Sequence, residues 1–322
     1  MTTTRLTTVT SGLRFPEGPV ALADGSVLVV EMRGKTLVRV QPDGGKRVVA
    51  ELGGGPNGAA IGPDGRCYIC NNGGFEFTAV GDTMLPGVAA EDYAGGWIEA
   101  VDLATGEREV IYRSCGDVPL RGPNDLVFDR HGGFWFTDSG KITARQRDRG
   151  AVFYARTDGS LIRQVIFPLD GPNGIGLSPD DGTLYVAESW TGRVWAYDIT
   201  GPGQVGKFAG PMPWERGRLL IGIPGYSMPD SLAIDSAGNI CVADIPYGGI
   251  TVVAPDGRII ERHPMPDSFA TNICFGGPGL ATAYVTLSST GRLVSMPWRR
   301  GGLPLHFLNR RESAVEAGVA DD

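Results

Sequence analysis

Apolar residues in this chain gather in short runs, many alternating with polar positions, and nearly every run is fenced by glycine, proline, asparagine or aspartate. VLVVE, LVRV and KRVVA follow one another near the N-terminus. GFWFTD, AVFYAR and LIRQVIF stand mid-chain, and NICVAD, GITVVA and RIIERH lie further on. Period-two patterning over so few residues, with turn residues between, predicts β-strands joined by tight turns into meanders.

A repeat orders these strands. An oxygen-bearing side chain opens a similar phrase six times, at Glu17, Asn57, Asn124, Asn173, Asp230 and Asn272. The phrases are EGPVALADG, NGAAIGPDG, NDLVFDRHG, NGIGLSPDDG, DSLAIDSAG and the degenerate NICFGGPG. A second set, Glu31, Asn71, Asp138, Asp244 and Thr286, lies 14 residues past its openers; Glu188 lies 15 past Asn173, whose phrase carries one extra residue. Openers are 40, 67, 49, 57 and 42 residues apart, close to the ~40–50 of a four-stranded propeller blade.

The expected fold is therefore all-β: a six-bladed β-propeller with four-stranded antiparallel blades around a central channel. Residues 1–309 form its single domain, and 310–322 form a mobile tail. Two segments compete to close the ring as the outer strand of the last blade, TRLTTVTS at the N-terminus and LPLHFL near residue 305.

Strand direction locates the site. Each opener begins an innermost strand, so all six lie at one end of the channel, and the ADG, PDG and DRHG turns lie at the other. The second strand returns, bringing the second set beside the openers. Loops between second and third strands share that face. The Asn72–Gly96 loop is the longest of them and carries Phe75, Phe77, Met84, Leu85 and Tyr93. Loops of that length usually have a function, here a lid or a homo-oligomer contact. The Ser139–Gly150 loop and the Gly201–Pro229 lead-in to blade five crowd the same face.

Composition narrows the partners. The 322 residues carry a net charge of −7 without a sustained Lys/Arg run, which argues against a nucleic-acid partner. The basic stretch Lys141–Arg149 reads as a solvated loop. No apolar stretch of about 18 residues implies a membrane span, and MTTTRLTTVTSGLRF has no secretion-type apolar core. Five scattered cysteines suit a cytoplasmic protein with reduced thiols. Cys67 and Cys70, three apart on a strand, point to opposite faces, against a redox or zinc role.

Two carboxylates and four amides converging on one axis suit a hard divalent cation, Ca2+ above all, with Mg2+, Mn2+ or Zn2+ as alternatives. Turn capping by Asx side chains and a purely structural ion are the competing explanations. His131, His263 and His306 lack ligand spacing, and no GxSxG elbow occurs. Hydrolysis, on this reading, rests on a cation that polarises a carbonyl or phosphoryl oxygen and on a carboxylate that activates water or attacks.

As an ordered set, EGP at 17–19, GPND around Asn124, GPNG around Asn173 and DSLAID from Asp230 resemble the gluconolactonase / senescence marker protein / luciferin-regenerating enzyme family over nearly the whole chain. The resemblance implies a six-bladed propeller closed by the N-terminal strand rather than by LPLHFL, with one catalytic divalent cation, usually Ca2+, and hydrolysis of lactones; relatives such as diisopropyl fluorophosphatase cleave organophosphates. It implies Glu17, Asn124, Asn173 and Asp230 as metal ligands, with Asp230 also the base or nucleophile. Asn57 and Asn272 become inner-sphere neighbours or water holders, and Arg121 and Asp125 substrate contacts. Arg121 is offset from the family's substrate-binding arginine.

Glu31 and Asp138 are read as second-shell or substrate groups, or as hydrogen-bonding residues within their blades. Trp190, Tyr226 and Tyr247, with Phe75, Tyr93 and Met228, form an aromatic rim suited to a small-molecule lactone or ester, apolar or sugar-like. The expected activity is metal-dependent lactone or cyclic-ester hydrolysis. The rivals are a phosphotriesterase or non-hydrolytic enzyme on the same scaffold, and a ligand-binding propeller with a structural cation.

Overall fold

The computed structural model describes residues 6–208, 210 and 217–309; the expected tail 310–322 lies outside them. Among these residues the alternating runs build six antiparallel blades, whose innermost strands are Pro16–Ala21, Pro56–Ile61, Pro123–Phe128, Pro172–Leu177, Met228–Ile234 and Ala270–Gly276. Each inner strand packs against the next, and the last against the first, so they enclose a channel. The N-terminal strand Thr7–Ser11 pairs with Arg292–Pro297 and closes the sixth blade.

Because strand side chains alternate faces, each blade is apolar on both sides, and a buried cluster fills each seam between neighbours. Cys67 packs towards blade one and Cys70 towards blade three, as their spacing requires. Trp135, fully buried, fills the seam between blades three and four beside Tyr154. All five cysteines are free. No helix among the described residues is long and apolar enough to cross a membrane.

Closure by the N-terminal strand is the one that the family resemblance favours, and two other segments take their places from tertiary contacts. Leu303–Asn309 does not form a blade strand but crosses the channel end opposite the openers. Leu303 N–H bonds to Ile234 O, Phe307 meets Phe128 edge-on, and Leu308 packs with the cluster between blades one and two. Apolar positions that alternate like a strand are here a strap whose side chains descend into several blades. The Gly201–Pro229 lead-in, in turn, contains the strand Arg218–Gly222, which pairs with Arg193–Gly201 as the outer strand of blade four.

A candidate active site at the channel mouth

Every inner strand carries a one-residue register shift where the phrase opens. Pro123 pairs with Asp138, yet Leu126 pairs with Phe136; Pro172 pairs with Glu188, yet Ile175 with Val186; the other four blades shift likewise. Such a bulge bends the strand and re-aims its side chains. Proline stands immediately before five openers, at 16, 56, 123, 172 and 229. A proline there cannot donate to the ladder, which favours the irregularity. This is the local signal that turns the openers off the sheet.

Glycine then lets neighbouring openers close up. A Cβ on Gly58 would lie 2.6 Å from Asn124 O, and one on Gly174 2.6 Å from Asp230 O. Hydroxyls complete the ring: Thr137 Oγ1 donates to Asn173 O at 2.6 Å, and Ser288 Oγ to Pro16 O at 2.5 Å.

The structure thereby brings Glu17, Asn57, Asn124, Asn173, Asp230 and Asn272 to one end of the channel, all but Asn173 buried as whole residues. Glu17 Oε2, Asn124 Oδ1 and Asn173 Oδ1 are buried oxygens without a hydrogen-bond partner. A desolvated acceptor left unpaired costs about 1–3 kcal/mol, more when it is charged.

Electrostatics tell the same story. Burial first, then the Asp230 and Asp125 charges, hold the Glu17 carboxyl well above the usual range, against hydrogen bonds from Thr271 and the Gly18 N–H. Burial raises Asp230 to about 7, with Asp125 adding to it and Asn173 and the Ser231 N–H opposing. Asp125, buried at the same level, is raised to about 7 by burial. The Asp230 and Asp125 charges thus bear on Glu17, and no basic side chain stands among the charge partners of the three.

Such a donor set, carboxylate and amide oxygens short of positive charge, fits a hard cation. Among the described residues no group of three or more His, Cys, Asp or Glu side chains gathers as a metal site. The converging set contains two of its four donors as amides.

The second register turns into the blades. Glu31 accepts from Arg14 N–H at 2.8 Å and Thr36 Oγ1 at 2.8 Å; Asp138 accepts from the N–H groups of Arg121 and Gly122, each at 2.7 Å, and of Gly140 at 2.9 Å. Asn71 takes Gly55 N–H, Glu188 takes Asp170 N–H, and Asp244 takes Ser227 Oγ. Each is a strut fixing the two or three residues before an opener.

The long second-blade loop is a hairpin, Phe75–Val80 with Thr83–Ala89, folded across the mouth. It touches three other blades: Met84 N–H bonds to Ser289 O, Ala89 N–H to Ile142 O, and Phe77 packs 5.1 Å from Phe15. On the rim, Arg121 pairs with Asp148 at 3.1 Å and lies over Tyr93. Trp190 meets Arg147, while Tyr226 and Tyr247 are exposed on loops of the opener face.

Lys141 corrects one expectation. Its neighbours through Arg149 are largely exposed, as a solvated loop requires, but Lys141 itself is buried beneath the hairpin with Nζ 3.1 Å from Asn72 Oδ1. Reading the basic stretch as one unit hid it. The signal available was its place, three residues past the strut Asp138.

The model of the SMP-30/gluconolactonase/LRE-like region matches residues 15–289. The chain belongs to this family. A gluconolactonase of Zymomonas mobilis is 26% identical over 309 residues, covering 88% of this chain and 79% of that protein. Lactonase drp35 of Staphylococcus haemolyticus is 30% identical over 253 residues, covering 78% and 69%. The solved structure of a Xanthomonas campestris gluconolactonase superimposes with a TM-score of 0.71 at 23% identity, over 91% of this chain and 89% of that one.

Proposed function

We propose that the chain is a lactone hydrolase whose reaction depends on a divalent cation, Ca2+ by preference, held by Glu17, Asn124, Asn173 and Asp230. The observation that carries the cation is the set of partnerless buried oxygens on Glu17, Asn124 and Asn173, together with the Glu17 and Asp230 carboxyls raised by burial and by neighbouring carboxylate charge. Family membership and the named lactonase relatives support the reaction class. A bound cation supplies Lewis acidity towards the substrate's carbonyl oxygen.

The chain's own groups do the rest. Asn124 and Asn173 are neutral donors, so with Glu17 and Asp230 the set carries two formal negative charges, which balance a divalent cation without exceeding its charge. Asp230 is the group to take a proton from attacking water, or to attack the carbonyl itself and be freed when water cleaves the resulting acyl ester; in either course the ring C–O bond breaks and the ring oxygen takes a proton. The hairpin over the mouth limits bulk water at the reacting carbonyl.

The test is a pH-stat panel of γ- and δ-lactones run beside paraoxon-type phosphotriesters. Lactone turnover that falls at least about a hundredfold in Asp230→Asn, the scale of losing a proton-transfer group, supports the reading. Turnover of phosphotriesters alone, or an undiminished Asp230→Asn enzyme, refutes it.

A further inference from the structure

Beneath the hairpin, two side chains are built for something the protein itself does not supply. Lys141 and Asn72 are 3% and 2% exposed. Lys141 Nζ donates to Asn72 Oδ1 and lies 3.4 Å from the Phe75 ring centre and 5.2 Å from that of Tyr93. Among the described residues it forms no ion pair within 4.0 Å. Asp138 is the carboxylate that acts on it, and that group is already committed to three backbone N–H bonds. Asp148 bonds to the Lys141 backbone N–H and pairs with Arg121. Burial lowers the Lys141 ammonium to about 7, with Asp138 opposing.

Asn72 stands one residue past the strut Asn71. The residues in that place in blades three and four, Ser139 and Ser189, donate across the seam to Pro172 O and Pro229 O, the carbonyls preceding the openers Asn173 and Asp230. The equivalent seam for Asn72 leads to Asn124. Its Nδ2, however, is buried without a partner, while its Oδ1 already accepts from Lys141 Nζ and from Gly74 N–H. The pair therefore offers unused donors and no free acceptor. A hydroxyl seated there would leave its own proton unpaired, whereas a carboxylate has only acceptors and brings the missing charge.

We propose that Lys141 Nζ and Asn72 Nδ2 form an anion-accepting subsite under the hairpin, so that the preferred substrate is a lactone bearing a carboxylate substituent. This rests on the lactonase reading and specifies its substrate class. Lys141 is a specificity-determining residue with no part in the proposed bond-breaking step.

The test compares γ-butyrolactone carrying a γ-carboxylate with the same ring carrying a γ-methyl group. Wild type should favour the carboxylated lactone by about tenfold or more in kcat/KM, expressed in KM, the scale of a charge-assisted hydrogen bond. Lys141→Met should remove that preference and leave the methyl lactone within about twofold, since the stem and its packing are kept. Equal loss on both lactones would mean that Lys141 only supports the hairpin, and equal KM values in wild type would mean no subsite; either overturns the proposal. Should Lys141→Met not fold, Lys141→Gln carries the same comparison.

Calorimetry separates this from the hydrolytic reading. With turnover blocked by Asp230→Asn, the carboxylated lactone should bind about tenfold more weakly once Lys141→Met is added. Unchanged affinity overturns the subsite. Binding through Lys141 in a chain that hydrolyses neither lactone keeps the subsite and sinks the hydrolase.

Discussion

Replacing Asp230 by asparagine should do two opposite things: remove turnover and, without metal, make the protein more stable. Asp230 is 9% exposed and its carboxyl is raised from 3.8 to about 7 by burial, with Asp125 adding to it. A raised carboxyl means that the folded state resists ionisation. Stability is therefore highest below the unfolded value near 4 and falls as pH rises towards and through about 7. At 1.36 kcal/mol per unit, the full penalty above that range is about 4 kcal/mol. An amide is nearly isosteric and uncharged, so it removes most of this cost; an added 2–4 kcal/mol at pH 8 is the expected order.

The assay is differential scanning calorimetry at pH 8, with chelator and again with Ca2+. In chelator Asp230→Asn should melt several degrees above wild type. Ca2+ should raise the wild-type midpoint and largely fail to raise the mutant's, because a cation that binds only the folded state stabilises by mass action. A mutant less stable than wild type in chelator, or a wild type indifferent to Ca2+, Mg2+ and Mn2+ alike, would refute the argument that these oxygens lack a positive partner.

Other perturbations probe the frame around that site. Gly58→Ala places a methyl group 2.6 Å from Asn124 O and the Asp125 Cα; we expect a loss of about 1–3 kcal/mol by denaturant titration, with a larger proportional loss of activity. Asp138→Ala leaves three backbone N–H donors without their acceptor, those of Arg121 and Gly122 before Asn124 and that of Gly140 after the strut, and should cost about 1–3 kcal/mol and weaken metal response in the same calorimetric scan. Asp181 is lowered to about 2: burial works to raise it, but hydrogen bonds from His306 and Arg130 prevail. Its stabilisation is complete above the unfolded value near 4 and lost as pH falls towards 2. Urea melts from pH 6 to 3 should therefore show wild type losing its advantage over Asp181→Asn in that range; a constant gap would contradict the strap's anchorage.

Much of this molecule is legible in the residues because the repeat is physical. One blade cannot bury both of its apolar faces, so six similar phrases must stack radially and bring their openers together. The opener positions and the turn ends follow from that logic, while the choice of Thr7–Ser11 as the closing strand rests on the family resemblance. What the pattern hides is set by tertiary context. LPLHFL alternates like a strand yet becomes a strap, because the N-terminal strand already occupies the last edge. Arg218–Gly222 joins blade four from within a stretch that reads as a connection. The struts are ambiguous in sequence, since Glu31 or Asp138 could face pocket or blade; the backbone N–H groups before each opener draw them into the blade. Lys141 is concealed by its exposed basic neighbours, and only the hairpin folded above it explains its burial.

The central claim is that oxygens aimed at the channel mouth hold a cation without which the lactone bond does not break. The most direct measurement is the hydrolysis rate of rigorously metal-stripped protein as Ca2+ is titrated back. The account predicts negligible rate at the start, recovery saturating at one ion per chain, and no recovery in Glu17→Gln/Asp230→Asn protein that remains folded. A full rate in the metal-stripped wild type would contradict it.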